Sequence, residues 1–211
     1  MIAKLNNTRP RMSSEERKAC IVNAACKLFS EKGFRGVTTR ELASAVGVTE
    51  PVLYEHFKTK RDLYSAIIER KAQEGLEVVS RIRDKFAEVP DDHAFFVNLA
   101  DSILEWYIRD PAFIRLLLFS NLEGDELKDL FHERGRECMA IVASYIALRV
   151  SDGSMREVDP SVAARAFFGM IAHYAMTVVI FGITPIPRPT AEVVHEMVSI
   201  FIGGLCKQEK Q

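Results

Sequence analysis

Signals for β-strands are nearly absent from the 211 residues, whereas helix punctuation is frequent, so the chain reads as all-α. No phosphate-cradling Walker loop, G-x-G-x-x-G, G-x-S-x-G or H-E-x-x-H occurs, and His132-Glu133 lacks a second histidine at zinc-binding spacing. The five histidines are scattered, which argues against a triad, a metal site or any cofactor, and so against an enzyme. Cys20, Cys26, Cys138 and Cys206 form no C-x-x-C pair. Free thiols in a reducing cytosol are therefore expected, and a cytoplasmic location with them. The stretch "MIAKLNNTRPRMSSEERK" has no apolar segment of the kind a secretory signal needs, and reads instead as a basic arm with Lys4, Arg9 and Arg11. Internal repeats and low-complexity tracts are missing too.

What is present is a folded, soluble composition, 48% hydrophobic and 27% charged. The net charge of -1 conceals a division: residues 1–70 carry +5 and the remainder -6. A basic front and an acidic back suggest that only the first segment meets a polyanion.

Ser13-Ser14-Glu15-Glu16 and Thr38-Thr39-Arg40-Glu41 fit capping boxes, each followed by apolar residues at helical spacing and closed by Gly33 and Gly47. Thr49 caps a third helix with Pro51 in its first turn, and Thr59 with Asp62 opens a long fourth one reaching toward Phe86. Pro90 breaks the chain. Five further helices are expected to start near Asp91, Asp110-Pro111, Gly124-Asp125, Asp159-Pro160 and Pro189-Thr190, about nine in all. The expected organisation is an arm and three-helix head over residues 1–60, then a helical bundle over 61–211.

Within the head, Leu42, Ala43 and Val46 form one apolar stripe and Leu53 and Phe57 another, joined across Gly47-Val48. That is the pattern of a helix-turn-helix, whose second helix enters a major groove with its polar side. Residues 38–61, "TTRELASAVGVTEPVLYEHFKTKR", resemble the DNA-binding signature of the TetR family of transcriptional repressors, most specifically in Leu-Tyr-x-His-Phe and the lysine that follows. The resemblance implies that Arg40 reaches a base edge while Thr39 holds phosphate. It implies that Glu50, Pro51 and Val52, with Thr49 beside them, face the bases, and that Tyr54, His56 and Lys60 clamp the backbone. Glu50 is expected to set sequence preference while adding little affinity, because an acid near phosphate costs Coulomb energy.

One reading helix covers few base pairs, so the bundle is expected to make a homodimer on a palindromic double-stranded operator. Ala166–Ile183, "AFFGMIAHYAMTVVIFGI", is apolar nearly all round and just long enough to span a membrane. His173, Tyr174, Thr177 and the lack of flanking basic clusters argue instead for burial between subunits, and against any membrane. The expected interface is Phe168, Met176 and Ile180 with Met197, Ile200, Phe201 and Gly204 of the last helix. Family resemblance also implies a small-molecule effector that releases the operator. Trp106, Phe113, Met139, Tyr145, Met170 and His173 are the expected lining of its largely apolar pocket. The rival reading keeps the DNA binding and replaces the effector with an architectural or protein-partnered role.

Overall fold

A computed structural model describes residues 13–123 and 128–205, so the arm with Lys4, Arg9 and Arg11, the expected start at Gly124-Asp125, and Cys206 lie outside the described residues. The elements are α1 (Ser14–Lys32), α2 (Thr39–Val46), α3 (Glu50–His56), α4 (Lys60–Lys85), α5 (Asp92–Arg109), α6 (Pro111–Glu123), α7 (Lys128–Ser151), α8 (Pro160–Ala175) and α9 (Thr190–Leu205). No strand occurs among the described residues.

Local chemistry fixes most of these ends. Ser13, Thr38 and Thr59 each close a reciprocal capping box, with Glu16, Glu41 and Asp62 as the returning acids. Asp91 and Asp159 cap α5 and α8 by accepting from backbone N–H groups. Thr49 precedes α3 but makes no side-chain cap, so this seven-residue helix relies on Pro51 and on packing. Gly47 closes α2 with φ 74°, a left-handed conformation that glycine adopts without a Cβ clash.

The expected uninterrupted helix over 166–183 divides in two. Its α-helical part ends at Ala175 and continues as a π-helical turn, Met176–Ile180, closed by an i to i+5 bond from Phe181 N to Met176 O. The Thr177 hydroxyl donates to His173 O at 2.9 Å and so competes for a carbonyl of the helical ladder.

Two hydrophobic cores result. The first joins Ile21, Phe29, Leu42, Leu53 and Phe57 to Leu63, Tyr64, Ile67 and Ile68 of α4. It also takes in Phe113, Leu116 and Leu117, so α6 belongs to the core of the head. The Tyr64 hydroxyl donates to Leu116 O at 3.2 Å, and the Lys71 ammonium lies 2.9 Å from Asp110 Oδ2 just ahead of α6. Burial pushes the Cys26 thiol in this core up to about 12, which keeps it a neutral packing group.

The second core runs through α4, α5, α7, α8 and α9 around a cluster of rings. Phe95 stacks on Tyr145 with centroids 3.7 Å apart and meets Phe96 edge-on at 5.1 Å, while Phe96 leans on Phe167 and Phe201. Replacing the fully buried Phe95 with alanine is expected to cost about 3–5 kcal/mol in equilibrium urea unfolding.

Candidate nucleic-acid interface

The turn between α2 and α3 is held by Val48 N donating to Ala43 O at 3.0 Å and Gly47 N donating to Ser44 O at 3.1 Å. Leu42, Ala43, Leu53 and Phe57 face inward and are buried. That orientation leaves Thr49, Pro51, Tyr54 and Glu55 exposed, with Val52, Glu50 and His56 half-buried beside them. Arg40, on the first turn of α2, projects outward, its side chain 90% exposed. The structure thus brings Thr39, Arg40 and the outer side of α3 onto one surface.

Two charged residues are engaged within the protein. Glu50 accepts a hydrogen bond from the Thr39 hydroxyl at 3.0 Å, and its other oxygen lies 3.6 Å from Arg40 Nε. The Lys60 ammonium, expected at phosphate, instead donates to Phe34 O at 2.7 Å and Val37 O at 2.8 Å, over the face of the Phe34 ring. These two carbonyls end the loop between α1 and α2, so Lys60 stitches the head together, and Lys58, exposed nearby, presents its charge outward. Flanking the same loop, the Lys32 ammonium at 2.7 Å and then the Thr38 cap hold Glu41 down at about 2.

The six residues expected to line an effector pocket fall in different packing environments. Trp106 and Phe113 lie 5.5 Å apart against the head's core. Tyr145 is stacked in the second core, where its hydroxyl donates to Asp92 at 2.7 Å; burial, then Asp92, pushes its ionisation upward. Met139 is half-buried with its sulfur 3.9 Å from Arg165, Met170 flanks the second core, and His173 is exposed. Helical periodicity identifies a buried face but not the cavity it borders, and aromatic content marks solid core and pocket alike.

A groove of about 520 Å³ does open between α8 and α9, lined by Val158, Val162, Ala166, Ile200, Phe201 and Gly204 among others. Three of its residues, Ile200, Phe201 and Gly204, had been expected at a dimer interface. Phe168, Met176, Ile180 and Met197 are half-buried, and Phe201 turns one side into the ring cluster. The sequence reading missed Val162, which is 65% exposed; its signal was a large apolar residue on the outer side of a helix's first turn. Lys71 and Asp110, the clasp between α4 and α6, carried no signal, because their meeting depends on the tertiary fold.

A helix-turn-helix with a polar outer face, carried on an all-helical body, defines a DNA-binding regulator. Residues 21–67 match the family described as "Bacterial regulatory proteins, tetR family", and residues 104–204 match "AefR-like transcriptional repressor, C-terminal domain". The chain belongs to the TetR family of transcriptional regulators, which are not enzymes. It is 28% identical over 171 residues to an HTH-type transcriptional regulator, YerO, of Bacillus subtilis, covering 79% of this chain and 57% of YerO. The chain spans about half the length of the curated relatives it matches. In fold it resembles FadR of Bacillus subtilis, solved with stearoyl-CoA (TM-score 0.74, 18% identity, 89% of this chain and 98% of that one). It also resembles AibR solved with isovaleryl coenzyme A and operator DNA (TM-score 0.64, 22% identity, 88% and 97%).

Lys58→Ala is expected to flatten the slope of log Kobs against log salt concentration by about 0.9, the value for one phosphate contact. Lys60→Ala is expected to leave that slope unchanged and to lower stability by about 2 kcal/mol, read from denaturant unfolding.

Proposed function

We propose that the chain is a cytoplasmic, effector-responsive repressor that binds a palindromic operator as a homodimer. The observation that carries this reading is an apolar strip left uncovered on α8 and α9. Among the described residues, Pro160–Ile180 is the one helical stretch long and apolar enough to cross a membrane. Only 33% of its most apolar window is buried. One side of α8 is nonetheless packed in the second core through Ala164, Phe167, Ile171 and Ala175, which suits a bundle helix better than a lipid-facing one. Val162 and Ile200, 65% and 68% exposed, lie on the side a second copy would cover. Pairing the same two helices across a two-fold axis makes the interface isologous and closed.

In this reading Arg40, Pro51 and Val52 face bases, with Thr49 at the edge of α3, and Tyr54 and His56 hold the backbone, while the Thr39 hydroxyl is committed to Glu50. The effector is a molecule that offers the body an apolar group, and acyl-CoA thioesters, an apolar acyl chain on an anionic carrier, are the class to test first. Support for them comes from FadR and AibR, which share the fold and were solved with stearoyl-CoA and isovaleryl coenzyme A. Release is a population shift, limited by the effector's difference in affinity between the operator-bound and free arrangements.

Sedimentation of the purified chain tests the pairing: a dimer is expected, and Ile200→Asp is expected to yield a folded monomer with operator affinity at least tenfold weaker. Selection from random DNA should return an inverted repeat. A monomeric wild-type chain would refute this reading. Stearoyl-CoA and isovaleryl-CoA should each be titrated into the operator complex, and release by at least one is expected.

A further inference from the structure

We propose that Glu50 selects DNA sequence by positioning Arg40 rather than by touching a base itself, an inference that rests on reading α2 and α3 as the DNA interface. Glu50 is the first residue of α3, and Thr39 and Arg40 are the first two of α2. One carboxylate therefore joins the opening turns of both helices. Its Oε2 is fixed by the Thr39 hydroxyl at 3.0 Å, and its Oε1 faces Arg40 Nε at 3.6 Å.

The two side chains differ in freedom. Arg40 is 90% exposed, whereas the Glu50 side chain is 37% exposed and anchored at one oxygen. At 3.6 Å the anchored carboxylate attracts the guanidinium without a hydrogen bond, which biases the rotamers of the mobile partner toward it. A guanidinium held in place before DNA arrives loses less rotamer entropy on docking than one that samples all its rotamers. Glu50 lies on the Nε side, which leaves the terminal nitrogens to form the paired bonds to guanine O6 and N7 that arginine makes in a major groove.

Charge points the same way. A bare carboxylate at the mouth of a reading helix repels phosphate, and Arg40 offsets that repulsion where the two approach. The Thr39 bond spends a neutral donor on one oxygen and leaves the carboxylate's remaining capacity directed at Arg40. Glu50 is thus a positioning residue, and Arg40 is the group that reads.

The test is selection of bound sequences from randomised half-sites, followed by competition binding, for the wild-type chain, Glu50→Gln, Arg40→Ala and the double variant. Glu50→Gln keeps an acceptor for Thr39 and removes the charge facing Arg40. Glu50→Asp retracts the charge and provides a second variant; thermal melts check that each is folded. Glu50→Gln and Glu50→Asp are expected to relax preference at the same base pair as Arg40→Ala, by about tenfold of the 5- to 150-fold that one arginine–guanine contact supplies. Adding Glu50→Gln to Arg40→Ala should then change preference no further. A changed preference at a base pair that Arg40→Ala leaves alone would show that Glu50 reads a base and would overturn the proposal. So would unaltered preference in both Glu50 variants. A wild-type chain that selects no sequence would instead sink the underlying assignment of α2 and α3.

Discussion

The packing of α6 against α1 and the start of α4 is the constraint on which the molecule turns. The three helices of the head, two of them short, bury little apolar surface by themselves. Phe113, Leu116 and Leu117 complete their core, and the Tyr64 hydroxyl and the Lys71–Asp110 pair register α6 against α4. The reading head and the body consequently share side chains rather than merely a covalent connection. Any displacement of α6 must either move the head or open a cavity in its core, and close-packed interiors favour the former.

The local grammar of the fold was legible in the sequence. Capping boxes at Ser13, Thr38 and Thr59, Gly33 and Gly47 as stops, and Asp-Pro steps before α6 and α8 are short-range devices whose chemistry lies within four residues. The outer surface of α3 was legible for the same reason, since helical spacing decides which side Leu53 and Phe57 bury. What depended on distant partners was not. Nothing in the sequence announces that Lys60 meets Phe34 O and Val37 O, or that Phe113 joins the core of the head. Glu50 lay between these cases: its position at the start of α3 was readable, but its bond to Thr39 required the angle between two helices.

The second core shows how α8 can be apolar on so many sides. Phe167, Ile171 and Tyr174 occupy the bundle interior, and Phe167 shares a ring cluster with Phe96 and Phe201. The opposite side keeps Val162 outside the core of its own subunit. Composition alone cannot distinguish a helix with one internal and one external apolar partner from a helix surrounded by lipid. In this chain the bundle covers Ala164, Phe167, Ile171 and Ala175 on one side of α8, and the helix ends in a π-helical turn ahead of Gly182.

Lys60 carries a further consequence for kinetics. Bonding to two carbonyls engages two of the ammonium's three donors without neutralising the charge, so the cation still adds to the electrostatic potential around the head. That potential guides a duplex inward over roughly one Debye length, about 8–10 Å at moderate ionic strength. The same two bonds fix where that charge sits, between the loop after α1 and the start of α4. A charge tally of the head therefore counts Lys60 without saying what its ammonium is bonded to.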